Sequence, residues 1–494
     1  MKDLKEKTLR GGVARMCSLA ATTLLRLLTV VTLARLLSPK DFGLVGMVTA
    51  FTGVLVLFRD FGLSSASIQH ETITEDQKST LFWINVTVGA ALSVLAFAMA
   101  PLVAAFYHEP RLFAVTAVLA LGFLFNSAGV QHGTLLSREM RFTALSVIST
   151  VSAFLGLAVG IAAALAGWKY WSLVVMTLAS TAVATLGVWL ATSWIPGPPR
   201  RRAGLRSIMH FGSTVTANSV LIYIATNFEK VLLGRYWGAD AIGIYGRAYQ
   251  LGNIPTDSLN STVGEVAFAA LSRLQGEPAR LRSYFLKGYS LVVSLSLPIT
   301  IVCVLFAPDI VLSLLGPKWK AAVPVFRLLA PTILVFAIVN PMAWLLYSLG
   351  RVGRLLKMAL VITPILIAGY LLAVPYGPKG VAFAYSTLMI LWIFPTVLWG
   401  LQGTPISARD FLGTVSHPLI SSAVAGGLAF AASSIWSQVP SVLARLVLES
   451  SVFLGAYFGM LLYAMGYKSQ YVDLFRSLRN RSLSEPTVAV QGPV

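Results

Sequence analysis

Charge is scarce in this chain. Only 12% of its 494 residues are Asp, Glu, Lys or Arg, against roughly 25% in soluble globular domains. Cysteine is nearly missing as well. The two present, Cys17 and Cys303, lie far apart inside apolar stretches, which excludes a disulfide scaffold and a cysteine-ligated metal. The histidines His70, His108, His132, His210 and His417 are scattered without ligand spacing, so no metal is expected. No GxxxxGK[ST] phosphate loop occurs, and ATP hydrolysis is not expected. No polar segment is long enough to form an extramembrane domain of the kind a glycosyltransferase or polymerase needs. No catalytic residue is assigned, no cofactor is expected, and the chain is read as something other than an enzyme.

Apolar length is what the sequence has. Hydrophobic residues make up 56% of it, and stretches of about 20 residues, each able to cross a bilayer as a helix, recur fourteen times between 12–37 and 442–466. The pattern predicts an all-α polytopic membrane protein. The basic start MKDLKEKTLRGG runs into an apolar segment of about 25 residues without a small-residue cleavage site, so a retained helix is expected there. The formal net charge of +19 raises the question of nucleic acid, and its distribution answers it. Lys and Arg collect in alternate loops, for example Lys2, Lys5 and Lys7, then Arg200, Arg201 and Arg202, then Arg476 and Arg479. Positive loops lie on the cytoplasmic side, so both termini are expected in the cytoplasm. No basic face with interleaved aromatics suggests nucleic acid.

A duplication organises the chain. Residues 33–46 read LARLLSPKDFGLVG and residues 233–246 read LGRYWGADAIGIYG. The two align without a gap, matching Leu33 with Leu233, Arg35 with Arg235, Gly43 with Gly243 and Gly46 with Gly246. One copy joins span 1 to span 2 and the other span 7 to span 8, both on the expected non-cytoplasmic side. Six spans separate the copies, so the halves share one orientation, as in transporters built from parallel repeats. The expected division is a six-helix lobe over 1–194, a cytoplasmic linker over 195–206 and a second lobe over 207–401. Two further helices follow over 402–467, then a cytoplasmic tail over 468–494. The turn itself carries no evident chemistry, and packing is its expected role.

Polar residues in spans are costly and need a reason. Arg15 and Arg26 stand eleven residues apart, three helical turns with about 20° of rotation, and Ser18, Thr22 and Thr29 share their arc. This stripe is expected to face a cavity, although Arg15 could equally snorkel to headgroups and Arg26 could serve a structural ion pair. Span 7 carries its own stripe of Ser219, Tyr223, Thr226 and Lys230, with Lys230 open to neutralisation by a carboxylate on another helix. Span 8 is rich in polar groups, among them Tyr245, Arg247, Tyr249 and Gln250. Together these predict a cationic cavity for an anionic or phosphorylated substrate, which arginine forks suit. Arg15, Thr22, Arg26, Tyr223, Lys230 and Arg247 are the candidate binding residues. The intramembrane acids Asp60, Glu229, Asp257 and Glu265 are candidates for coupling to a proton or sodium gradient, with Asp60 also open to pairing with Arg59.

These stretches also resemble a known family. LARLLSPKDFGLVGM (33–47), FRDFGLSSASIQH (58–70), LSREMRF (136–142), KVLLGRYWGADAIGIYGRAYQL (230–251) and SRLQGEPARLRSYFLKG (272–288) are similar to the bacterial polysaccharide transporter family. Its members are the Wzx-type flippases, and the likeness is to their WzxC-like branch within the multidrug/oligosaccharidyl-lipid/polysaccharide exporter superfamily. The resemblance covers about residues 8–460. It implies two six-helix bundles in a V with two extra helices. It also implies translocation of undecaprenyl-pyrophosphate-linked oligosaccharide across the bacterial inner membrane, for exopolysaccharide, capsule or O-antigen synthesis. Cavity arginines that bind pyrophosphate are carried onto Arg15 and Arg26 by position alone. Implied partners are the lipid-linked substrate, membrane lipids, an ion gradient and the polysaccharide polymerase and export machinery. The alternative expectation is a cation-coupled antiporter of drugs or other small molecules from the same superfamily.

Overall fold

The structure is a computed structural model and describes residues 21–58, 74–199, 206–436 and 441–467. The described residues form helices and no strand. In chain order they are α1 (21–36), α2 (Pro39–Leu57), α3 (Glu75–Tyr107), α4 (Arg111–Arg138), α5 (Phe142–Leu165) and α6 (Trp171–Thr192). A second series holds α7 (206–237), α8 (239–273), α9 (Pro278–Leu305), α10 (Pro331–Ser348), α11 (Val352–Ala373) and α12 (Gly377–Leu401). Then come α13 (Ala408–Trp436) and α14 (Val442–Gly459). Ten described segments are long and apolar enough to cross a membrane, one of them, Val352–Leu401, holding α11 and α12 end to end. The longer helices outside that set are α1, of which 16 residues are described, and the polar α7 and α8; the short helix Ala307–Leu314 also lies outside it. The fourteen expected spans are therefore fourteen helices, and the all-α reading holds.

Both copies of the repeated turn break a helix at the same point. In the first, Ser38 caps α2: its hydroxyl accepts from Asp41 N–H while the Asp41 carboxylate accepts from Ser38 N–H, a reciprocal box that satisfies two orphan donors. In the second, α7 and α8 meet at Gly238, whose φ of 78° and ψ of −170° interrupt the helix. Backbone of that kind belongs to glycine.

The helices gather into two compact units. One comprises residues 1–254, 311–329 and 351–392, the other 255–310, 330–350 and 393–494. In the first, α3 packs along α4, and α6 along α5. The start of the linker is pinned beside them: Trp83 Nε1 donates to Gly197 O at 2.9 Å, Gly197 N–H to Ser79 Oγ at 3.0 Å and Trp194 Nε1 to Glu75 at 3.1 Å. His132 stacks on Trp189 at 4.3 Å in the same aromatic cluster.

In the second unit, the two appended helices are fastened to α9. Phe453 and Tyr457 of α14, with Leu461 just past its end, bury against Ala425 and Ala429 of α13 and Phe306. The Tyr457 hydroxyl donates to Ser294 O at 2.7 Å. Ion pairs add to this, Arg282 with Asp410 at 2.6 and 2.9 Å and Arg445 with Asp309, its Nε at 3.0 Å.

Candidate functional site

In the first unit the two copies of the turn meet each other. A Cβ added at Gly43 would overlap the Ala239 carbonyl, and one added at Gly243 would overlap the Pro39 carbonyl. Adding 200 to Pro39 and Gly43 gives Ala239 and Gly243, so the two contacts exchange under the offset. That is the self-complementary pattern of a two-fold interface, here between halves of one chain. Only glycine permits such backbone approach.

The neighbouring contacts repeat the symmetry. Position 34 meets the segment after α9, with Trp319 Nε1 donating to Ala34 O at 2.8 Å, and Arg35 donates to Ser313 O. Position 234 meets the end of α3, where a Cβ on Gly234 would crowd the Tyr107 ring, and Arg235 Nη1 lies 2.7 Å from His108 Nδ1. Since α3 and α9 are the third helices of their series, the correspondence covers both partners. Trp319 also packs on Phe42, ring centroids 5.5 Å apart. The repeated turn thus seals one end of this unit, hereafter the turn end.

Beneath the seal lies a cavity of about 310 Å³. The motif builds part of its wall: Phe42, Val45, Gly46 and Thr49 from α2, and Ile242, Gly243, Gly246, Arg247 and Gln250 from α8. Leu173, Met176 and Thr177 of α6 and Lys230 of α7 complete it. The Arg247 guanidinium lies 3.8 Å from the Phe42 ring centroid, a cation–π contact, and donates to Gln250 Oε1. Lys230 Nζ donates to Asn227 Oδ1 at 2.6 Å and stands 5.6 Å from the Tyr249 ring centroid. Among the described residues, two cations and no carboxylate therefore line this space. An amide, rather than the carboxylate considered from sequence, accepts the hydrogen bond of Lys230.

The other candidate residues are placed as follows. Tyr223 ties α7 to α2 through a hydroxyl donated to Thr49 O at 2.9 Å, against Gly53. Thr22, half-buried, and Arg26, exposed, lie on α1 and do not line the cavity. Arg15 and Asp60 lie outside the described residues, as does the side chain of Glu265, whose backbone is in α8. Asp257 is exposed on α8. Glu229 is 2% exposed, with Oε2 lacking a hydrogen-bond partner among the described residues. The Tyr245 and Tyr370 hydroxyls are likewise buried with no hydrogen-bond partner among the described residues.

Sequence reasoning missed Thr49 and Thr177 in the cavity wall, since each is one hydroxyl in an ordinary apolar helix. It also missed two buried acids, Asp309 and Glu449, 7% and 3% exposed. Asp309 follows the end of span 9 and reads as a loop residue. Glu449 lies four residues after Arg445, and that i, i+4 spacing was the available signal.

A bundle of apolar, membrane-length helices in which the two copies of one turn meet defines a polytopic membrane protein. The model of the polysaccharide biosynthesis protein family matches residues 32–324, and the chain belongs to that family. The teichuronic acid biosynthesis protein TuaB of Bacillus subtilis (strain 168) is 27% identical over 437 residues, 85% of this chain and 87% of its own. The lipopolysaccharide biosynthesis protein WzxC of Escherichia coli (strain K12) is 27% identical over 402 residues, 79% of this chain and 80% of its own. Among solved structures, the lipid II flippase MurJ in an inward closed conformation shares the fold at TM-score 0.72 with 12% identity, over 92% of this chain and all of that one. The chain is a multi-pass membrane protein of the polysaccharide biosynthesis protein family.

Proposed function

We propose that the protein carries undecaprenyl-pyrophosphate-linked oligosaccharide from the inner to the outer leaflet of the bacterial inner membrane by alternating access. Both termini are then cytoplasmic, and the turn end faces outward by the positive-inside rule. The supporting observation is the convergence of Lys230 and Arg247 on one cavity that no carboxylate lines among the described residues. That space has room for several waters or one compact diphosphate, and it is too small for an oligosaccharide. The cations hold the diphosphate, Arg26 of α1 leads it in with Arg15 from the stretch before it, and the prenyl tail stays in lipid. Glu229 is the coupling group best supported among the four acids, being buried with an unpartnered oxygen, a place where a proton or cation restores neutrality. Such a carboxylate would equally serve a cation-coupled drug antiporter.

The test is uptake of labelled lipid-linked oligosaccharide in proteoliposomes. Arg247→Ala and Lys230→Ala should each cut transport on the order of 30-fold, as loss of a buried charge contact implies. Arg247→Lys should restore part of it, because a point charge lacks the bidentate fork. Normal transport in both alanine variants sinks the reading. Glu229→Gln should leave substrate binding intact and remove the response to an imposed gradient; retained gradient dependence rules Glu229 out. Export of small cations without oligosaccharide transport would favour the antiporter.

A further inference from the structure

The two arginines of the repeat latch the turn end by different chemistry. Arg35 donates to a backbone carbonyl, Ser313 O, which does not titrate. Arg235 meets an imidazole, with Nη1 2.7 Å from His108 Nδ1. Guanidinium only donates, so His108 accepts on Nδ1 and carries its single proton on Nε2.

His108 is held for this bond. It ends α3 in the left-handed conformation, φ 54° and ψ 37°, and its N–H returns to Ala105 O at 3.2 Å. Both His108 and Arg235 are exposed, so the pair senses bulk pH directly.

The charged groups around the pair are engaged elsewhere. Glu109 takes a bidentate bond from Arg111, both contacts 2.7 Å. That bond, with Lys40 nearby, holds its carboxyl below the usual range. Asp41 is occupied as the cap partner of Ser38, and Tyr170 adds a phenol near Arg111. Of these groups only imidazole ordinarily changes charge between about pH 5 and 8.

We propose that His108 and Arg235 form a proton-released latch on the turn-end seal, closed while the imidazole is neutral and opened when the solution at that face acidifies. A proton on Nδ1 removes the accepting lone pair and sets imidazolium against guanidinium. The latch therefore holds at high pH and is lost as pH falls, while the Arg35 latch is unaffected. That the acidifying solution is the external one rests on the orientation proposed above; the distance measurement below does not.

Spin labels at Leu36→Cys and Tyr236→Cys, both exposed positions of the repeat, in a Cys17→Ser, Cys303→Ser chain in lipid nanodiscs report the separation of the two copies. Between pH 8 and pH 5.5 the long-distance population should rise roughly two- to fivefold, the effect one exposed charge contact can carry. His108→Asn keeps an acceptor and tolerates the left-handed backbone, so it should stay short at both pH values. Arg235→Ala should show the raised long-distance population at both. Arg35→Ala should raise it at both while keeping the wild-type pH ratio. A wild-type response in His108→Asn, no response in the parent, or loss of the response in Arg35→Ala overturns the latch. Failure of oligosaccharide transport with this pH response intact would overturn the function and leave the latch standing.

Discussion

Residues 38 and 238 interrupt two helices at equivalent points of the repeat, one as serine and one as glycine. Ser38 keeps extended backbone, φ −92° and ψ 160°, and works through a side-chain box with Asp41. Gly238 works through a backbone that other residues reach only with strain, and Ala241 stands where a capping acid would be. The same divergence appears at Arg35 and Arg235, which end on a carbonyl and on an imidazole. At Gly43 and Gly243 the copies have not diverged, because each admits a backbone carbonyl of the other. Duplication preserved what the mutual contact demands and left the rest free to change.

The glycines give the largest test of that comparison. Gly43→Val and Gly243→Val each push a side chain into backbone, which costs about 1–3 kcal/mol or more. Both should raise the long-distance population of the Leu36/Tyr236 label pair to a similar degree. Gly46→Val meets only the Ile242 side chain and should do less, and Gly246→Val meets nothing within 4 Å of its Cβ and should be silent. Unequal effects at 43 and 243 would break the two-fold description.

Exchanging the break residues gives a smaller effect. Gly238→Ser should lower stability by about 1–3 kcal/mol, the strain of an ill-suited backbone region. Ser38→Gly should cost only a few tenths of a kcal/mol. Thermal unfolding in detergent reads both, and equal losses would mean the two breaks are held alike. Ser38→Ala should fall between them at about 1 kcal/mol.

The two tryptophans at the seal sharpen the comparison further. Trp319 donates to Ala34 O at 2.8 Å and Trp237 to Val374 O at 2.7 Å. Replacing either by Phe keeps most of the ring and leaves a carbonyl without its donor, worth about 1 kcal/mol. Trp319→Phe should loosen the contact between copies, whereas Trp237→Phe, which ties α7 to the end of α11, should lower thermal stability without opening the seal.

Much of the fold was legible in advance because lipid imposes strict demands. A bilayer-spanning segment must be apolar, about 20 residues long and helical, so counting apolar stretches counts helices. The polar α7 and α8 were visible for the same reason, as violations of that demand. The site was legible in part. Lys230 and Arg247 could be named from sequence, since charge within a membrane-length span is conspicuous. Thr49 and Thr177 could not, because a threonine hydroxyl can satisfy itself on its own helix, as Thr177 does on Leu173 O at 2.8 Å. Glu449 and Asp309 were missed because their burial depends on how α14 docks on α9.

The sequence by itself determined the helix count, the duplication and its offset of 200 residues. Each follows from local composition or from comparing the chain with itself. Only the tertiary structure decided that the two copies of the turn touch, and that Gly43 and Gly243 are spaces made for each other's backbone. It alone placed His108, an unremarkable residue after span 3, on Arg235. Contacts between residues more than a hundred positions apart depend on how helices pack, and packing is set by many weak contacts together rather than by any one stretch.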